Sequence, residues 1–478
     1  MIVLRNLLTD PQQQALLQQS RLGVEVEEHR IDQAGQLSRA PHPPILGSRQ
    51  FHPYFQSDFA ETQAELITDP HSSMTKLSQQ LATLQMVFTQ AMQPDELIWP
   101  LSLPPAVSTA DLDFIAAHFE RPAYQSYRDY LLAKYGIPHE ITTGSHVSFS
   151  LPAALLAGQS IATRNQIYFH IVQNFMLTRW LLTYLFGATP QAAANYFATP
   201  PAALKQPVRS IRNSQYGFTN DASERVSYSS LSAHLAGIDN GVSNGDFYSA
   251  HEFYGPVRLK NQEHLAAFKT QGIDYLEFRT FDLDPFSASA ISLTTLRFFK
   301  VFLSYLAVRP LPADLPHALA AAQQKNHQVA LERPDSQCAF ATEMHDWLHQ
   351  LQIFSQSWPT TYQQAVATIA QRVDRPALTP SAKLVAQPAV ATFALQQARR
   401  YHQEHQTQPL PEAAGLNHDQ RQLLIAAYQR GLRINHQAEQ IQLCGQQQVI
   451  SLQQIDLNGL SAAARLTQLF PELQQKSS

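Results

Sequence analysis

Three short runs set carboxylate, guanidinium or imidazole side chains two residues apart. The first is Gly23-Val24-Glu25-Val26-Glu27-Glu28-His29-Arg30-Ile31. Side chains alternate along a strand, so Val24 and Val26 share one face and Glu25, Glu27 and His29 share the other. Tyr275-Leu276-Glu277-Phe278-Arg279 separates Glu277 and Arg279 from Leu276 and Phe278 in the same way. His146-Val147-Ser148-Phe149-Ser150-Leu151 sets His146, Ser148 and Ser150 against Val147, Phe149 and Leu151. Neighbouring carboxylates repel, so a sheet face that gathers several of them faces water or holds cations. Their hard oxygens suit Mg2+ or Mn2+ rather than a thiolate metal. Arg279 on such a face offers forked contacts to phosphate oxygens. The combination suits phosphoryl transfer without a Gly-rich phosphate loop, because the GxxxxGKS/T pattern does not occur. Taken singly, each signal also reads as a solvated sheet face, a hydrogen-bonded core histidine, or an ion pair of Arg279 with Glu277 or Asp282. Their common setting between strongly apolar neighbours is that of a lined cavity.

The elements that must position these residues alternate irregularly. A short helix over 9–21 is entered by Thr9-Asp10-Pro11, a cap followed by proline. Residues 32–56 carry Pro41, Pro43, Pro44 and Gly47 and read as loop and short strand. Asp58, Glu61 and Glu65 are spaced as one face of a helix. His71-Ser72-Ser73 caps an amphipathic helix with Met74, Leu77, Leu81, Leu84 and Val87 at core spacing. A rigid extended segment follows at Trp99–Pro105. A helix from Tyr127 to Tyr135 stops at Gly136, and a buried helix at 167–186 stops at Gly187. Residues 205–260 are rich in Gly, Asn and Ser and are expected to be loops and short strands that reach a substrate. Asp282-Leu283-Asp284-Pro285-Phe286 is a turn, and Leu296–Val308 is a second buried helix. From 315 to 478 the chain is Gln-, Ala- and Leu-rich, mainly helical, and without evident chemistry, internal repeat or linker. This mixture, with no regular strand–helix repeat, is the pattern of an α+β fold with a largely antiparallel sheet, charged on one face and packed on helices with the other.

The bulk numbers exclude several functions. The 478 residues are 44% hydrophobic and 10% aromatic, ample for a core. A net charge of -4 provides no basic stripe, so no nucleic-acid partner and no anionic-membrane partner is expected. The only two cysteines, Cys338 and Cys444, form no disulfide framework or zinc motif. The apolar start at MIVLRNLL lacks a long hydrophobic region or cleavage site. The apolar run Ile167–Gly187 contains His170, Gln173, Asn174 and Arg179, which suits a buried helix better than a membrane span. A cytoplasmic protein is expected.

Six blocks occur in the order found in bacterial glutamate–cysteine ligase. They are Gly23–Arg30, Ser57–Thr68, Trp99–Ser102, Gly144–Ser150, Ser210-Ile211-Arg212 with Gly217-Phe218-Thr219-Asn220, and Glu277–Phe286. The chain resembles that family from about residue 20 to 310, and more weakly beyond. The resemblance implies a single ligase domain over 1–478, of the kind that lacks the extra ATP-grasp domain of two-function relatives. The implied fold is a bowl-shaped, largely antiparallel sheet related to glutamine synthetase, with helices on the convex side. The implied reaction joins L-glutamate to L-cysteine at the expense of ATP, through a γ-glutamyl phosphate, the first step of glutathione biosynthesis. By similarity, Glu25, Glu27, Asp58, Glu65, His146 and Glu277 ligate Mg2+ or Mn2+. Arg279 contacts the transferred phosphoryl group, with Glu27 in a catalytic role. Arg128 and Arg212 bind glutamate, and Tyr127, Leu131 and Tyr254 line the cysteine pocket.

Three positions depart from the family pattern. Phe218 replaces a common Tyr, Glu140 a common Gln near the acceptor pocket, and Ser148 an Asn near nucleotide and metals. The metal set is intact, while the acceptor amine stays open, since losing a hydroxyl from a small pocket shifts selectivity. A non-catalytic nucleotide or amino-acid sensor is a third reading, whose expected mark is a missing metal ligand. The sequence leaves the oligomeric state open.

Overall fold

Strand β1 (Arg21–Ile31) is the axis of a seven-stranded sheet in a computed structural model that describes residues 10–117, 125–220, 226–261, 265–437 and 440–474. Along one side of it runs β3 (Gln63–Ile67), with Glu27 opposite Glu65 and His29 opposite Gln63. Two strands share the other side. β5 (Ser145–Ser150) pairs with Arg21 to Val26, and β4 (Leu97–Trp99) pairs with His29 to Ile31. β2 (Phe55–Gln56) extends the sheet beyond β3, while β7 (Tyr275–Phe281) and then β6 (Val257–Lys260) extend it beyond β5. Each of these strand pairs is antiparallel, as expected.

The apolar face lies against two long helices. Ser160 caps α1 (Ile161–Phe186) and Ser292 caps α2 (Leu293–Val308), each accepting a backbone N–H of the first turn. α1 is apolar nearly all round because it is buried nearly all round. Its Asn174 is satisfied by donating to the Leu306 and Arg309 carbonyls at 3.1 and 2.9 Å. Phe278 packs on Phe175 and Phe299 with ring centroids 4.6 and 5.5 Å apart. Burying one such ring contributes about 1.5–3 kcal/mol. Val24, Val26, Val147, Phe149 and Leu276 complete this layer. Ser73 caps Met74–Ala91, as its sequence foretells. No helix among the described residues is long and apolar enough to cross a membrane.

β7 carries an irregularity at the point where it matters. Ser145 lies opposite Phe281 but Val147 lies opposite Phe278, so His146 faces two β7 residues, Arg279 and Thr280. This bulge lets both Phe278 and Phe281, three residues apart, enter the core while Glu277 and Arg279 stay close on the other face.

Three expectations are corrected. Asp58, Glu61 and Glu65 do not share a helix: Asp58 and Glu61 lie in the connection before β3, and Glu65 lies on it. Pairing with β1 overrides the local helical spacing. Glu61 turns away and pairs with Arg49. Within the expected loop region, Leu231–Asn244 is a helix, capped by Ser230 and ended by left-handed Gly245 at φ 79. Its Gly241 admits the Phe247 ring, 2.5 Å from where a Cβ would stand. The C-terminal part is mainly helical and also holds a separate three-stranded sheet formed by Arg433–Gln437, Gln440–Cys444 and Val449–Ser451. The first helix spans only Pro11–Leu16, followed by a 3-10 turn at Leu17–Gln19. Thr9 and the apolar start lie outside the described residues.

Candidate active site

The polar face of the sheet brings together Glu25, Glu27, Glu65, His146, Ser148, Glu277 and Arg279 by register. Glu25 lies opposite His146, Glu27 opposite Glu65, and Ser148 opposite Glu277. The His146 Nδ1 is 3.1 Å from a Glu25 oxygen and 3.7 Å from a Glu27 oxygen. One ligand atom from each of the three lies within 4.8 Å of the other two. His146 Nε2 is buried and has no hydrogen-bond partner. Such a set, two carboxylates and an imidazole converging with buried capacity to spare, fits a hard divalent cation.

The charges show what the site lacks. Burial pushes Glu27 and Glu65 well above the usual carboxylate range, and the neighbouring carboxylates push them further. Burial raises Asp58 to about 6 despite the Arg279 charge. Glu25 goes the other way: burial raises it, but the hydrogen bond with His146, helped by the Lys260 charge, outweighs that and leaves it lowered. His146 is pushed down to about 4 by burial and by Arg279, so it is neutral at pH 7 and free to ligate. At Glu277 burial is opposed by Lys260, Arg279 and Arg258, which together hold it at about 2.

The opposite wall is basic and aromatic. A cavity of about 280 Å³ is lined by Asp58, Glu65 and Arg279 and also by Tyr127, Arg128, Leu131, Glu140, Phe218 and Tyr254. Of the residues expected to hold the substrates, these six thus share a cavity with part of the carboxylate cluster. The helix Gln125–Tyr135 supplies Tyr127, Arg128 and Leu131 at the spacing of one face. Arg128 donates to the Ile115 carbonyl at 2.6 Å and stacks over Phe59. Burial lowers it to about 10. Arg212 is not among the lining residues. It donates to the Phe281 carbonyl at 3.2 Å and lies under Gly144, where a Cβ would stand 2.2 Å from its guanidinium. Asp282 anchors its loop, accepting from Ser210 and Thr189 hydroxyls and the Ala188 N–H within 2.9 Å.

Arg49, Arg258 and Lys260 were not foreseen as site residues. Arg49 and Arg258 line the cavity, Arg258 lies opposite Glu277, and Lys260 pairs with Glu277. Arg258-Leu259-Lys260 repeats the two-residue alternation of Glu277-Phe278-Arg279, a signal hidden by its loop-like surroundings. Arg49 sits in a Pro/Gly-rich loop and gave none.

Against this geometry, the profile of the glutamate–cysteine ligase family matches residues 5–250 and 247–329. The chain belongs to the glutamate–cysteine ligase family. It is 34% identical over 397 residues to a glutathione biosynthesis bifunctional protein of Streptococcus thermophilus, covering 80% of this chain and 52% of that one. Its Enterococcus faecalis counterpart is 36% identical over 324 residues, 66% of this chain and 43% of that one. The chain spans about half the length of the curated relatives it matches. A bifunctional glutathione synthetase from Pasteurella multocida superposes with a TM-score of 0.85 at 28% identity, over 94% of this chain and 61% of that one. A Francisella tularensis glutamate–cysteine ligase in complex with AMP shares the fold at a TM-score of 0.75 and 24% identity, over 86% of this chain and 92% of that one. Members of this ligase family thus share the mixed helix and antiparallel-sheet architecture described above.

Proposed function

We propose that this protein joins the γ-carboxylate of L-glutamate to the amine of L-cysteine, with ATP as phosphoryl donor and a γ-glutamyl phosphate as intermediate. The observation that carries this reading is the convergence of Glu25, Glu27 and His146 beside Arg279 in a chain of the ligase family. A carboxylate resists attack by amines because its leaving group would be oxide. Transfer of the γ-phosphoryl group to the glutamate γ-oxygen provides phosphate as the leaving group instead. The amine then forms the C–N bond as the C–O bond to phosphate breaks.

ATP and carboxylate are both anionic, so their approach demands compensating charge. Glu25, Glu27, Asp58, Glu65, His146 and Glu277 are the residues to hold Mg2+ or Mn2+, which when bound neutralises triphosphate oxygens and orients them. Arg279 meets the phosphoryl group in transfer, a role supported by its Nη1 having no hydrogen-bond partner. Its pKa is lowered by burial but raised overall by Glu277 and Glu27, so it stays charged. Arg128 and Arg212 bind the glutamate, and Tyr127, Leu131, Phe218, Tyr254 and Glu140 receive the acceptor. Ser148, opposite Glu277 in the sheet, borders the nucleotide. The AMP held by the Francisella ligase supports a nucleotide in the same fold.

Phe218 and Glu140 favour a second reading, the same activation with another amine acceptor. ADP release with glutamate, ATP and Mg2+ tests both. Cysteine is expected to stimulate it well above alanine; a different amine doing so instead supports the second reading. No stimulation by any amine removes both readings and leaves a non-catalytic binder.

A further inference from the structure

His29 shares the charged face of β1 with Glu25 and Glu27, yet among the described residues the converging ligand atoms belong to Glu25, Glu27 and His146. Its side chain is fully buried. The ring stands where β1 changes partners. β5 pairs with β1 as far as Val26 and β4 takes over at His29. Between them the Glu27 N–H reaches the Gly144 carbonyl at 3.0 Å. Ile141, three residues before Gly144, precedes β5 and lies outside the ladder. Its carbonyl can only accept, so the His29 Nε2 standing 2.7 Å away carries a hydrogen and donates it. In the neutral ring Nδ1 is then the acceptor, and the Thr62 hydroxyl meets it at 3.4 Å.

Each nitrogen thus addresses a different stretch of chain, and each stretch carries site residues. From Ile141 the chain runs through Gly144, which lies over the Arg212 guanidinium, to His146 on β5. Thr62 lies between Asp58 and Glu65, and its carbonyl accepts the Arg30 N–H at 2.8 Å. An apolar side chain could fill the space of the imidazole. It would leave the Ile141 carbonyl buried and unpaired, a cost that a shift of the segment relieves. Ligands of a hard cation tolerate such shifts poorly, because their oxygens and nitrogens must converge on one point.

We infer that His29 is a positioning residue of the cation site. Through Ile141 and Thr62 it fixes the stretches that carry His146 and Asp58 against Glu27 on its own strand. This rests on the proposed role of those three residues as cation ligands, and adds to it the buried contact that sets their spacing.

Mn2+ titration of the full chain, followed by electron paramagnetic resonance, tests this beside ADP release and urea unfolding in EDTA. His29→Leu should weaken Mn2+ binding by the folded protein about fivefold or more, and Thr62→Val, which keeps the shape and removes the hydroxyl, about threefold. The Mg2+ concentration for half-maximal ADP release should rise by the same factors. His29→Gln, whose amide nitrogen has the reach of Nε2, should recover most of the affinity lost in His29→Leu. If His29→Leu does not fold, Thr62→Val decides alone. Wild-type Mn2+ affinity in either folded variant overturns the inference, even where urea stability falls, because the contact is then merely structural. A His29→Gln variant as weak as His29→Leu overturns it too, since the bond to Ile141 is then not what matters. Those outcomes leave the ligase reading standing. Wild-type protein that binds Mn2+ but releases no ADP with any amine overturns the ligase reading and leaves the inference in place. No Mn2+ binding by the wild type overturns the cation site and the inference together.

Discussion

Glu277 and Glu65 occupy the same face of one sheet in opposite electrostatic states. At the Glu277 end, Lys260 and Arg258 from β6 and Arg279 from its own strand surround the carboxylate and hold it at about 2. At the Glu65 end, Glu27 stands directly opposite, with Asp58 and Glu25 adding like charge and no salt bridge formed by Glu65 or Asp58 among the described residues. The protein balances the first carboxylate with its own cations and sets the second among other carboxylates. Buried carboxylates crowded in this way either keep a proton or are offset by a cation, and groups perturbed so strongly cluster at functional sites.

The largest expected effect breaks the uncompensated end. Glu65→Gln should lower ADP-forming turnover by a factor on the order of 100 to 1,000. In the metal-free protein it should leave stability unchanged or raise it, because it removes a repelled charge. Urea unfolding in EDTA beside the ADP assay checks both; full turnover, or a marked loss of metal-free stability, contradicts the account.

Gly144→Ala attacks the support of Arg212 and leaves both ends of the carboxylate face intact. The added Cβ needs the space that the guanidinium fills. A displaced Arg212 should raise the KM for glutamate about tenfold, with the KM for ATP less affected. An unchanged glutamate KM would show that Arg212 is not a substrate contact.

Lys260→Met removes a cation from the compensated end. Breaking a buried pair costs about 3–5 kcal/mol. Lys260 is a third exposed, so a loss of roughly 1–2 kcal/mol in urea unfolding at pH 7 is expected after screening. A neutral result would mean that Arg258 and Arg279 suffice for Glu277.

A smaller effect separates the ends by pH. Glu27 and Glu65 have raised folded-state pKa values, so the folded protein binds their protons more tightly than the unfolded chain does. The stability they contribute is present below about 4.5 and lost as pH rises through their folded values. His146, lowered to about 4, acts oppositely between 4 and 6.5, so the clean window lies above pH 6.5. Glu28, on the other face and raised to about 7 by burial, adds to the same trend without facing the cation site. From pH 6.5 to 8 the Tm in EDTA should fall by a few degrees, and added Mg2+ should restore most of it. A fall that Mg2+ does not reverse would place the cause at Glu28 or elsewhere.

The compensated and uncompensated ends differ also in how far the sequence reveals them. Two-residue alternation in β1, β5 and β7 exposes Glu25, Glu27, His146, Glu277 and Arg279 because each strand is half apolar, and period two survives any register. Pairing between strands has no local signature, so the opposition of Glu27 to Glu65 could not be read. The helical spacing of Asp58, Glu61 and Glu65 misleads for the same reason: β1 offers a strand partner that local propensity cannot foresee. The bulge opposite His146 is equally invisible, though Phe278 and Phe281 at odd spacing are its trace. Lys260 and Arg258 were hidden by a Gly- and Ser-rich context, and the helix at Leu231–Asn244 by its own glycines. The Gln-rich C-terminal strands bury only Ile434, Ile441 and Leu443 among their described side chains, too few apolar positions to stand out.

Manganese binding tests the central claim most directly. Titrating Mn2+ into the full chain at pH 7.5, followed by electron paramagnetic resonance, should show saturable binding that weakens about tenfold or more in Glu27→Gln. Binding of equal strength in wild type and variant, or none in either, would contradict a cation at Glu25, Glu27 and His146.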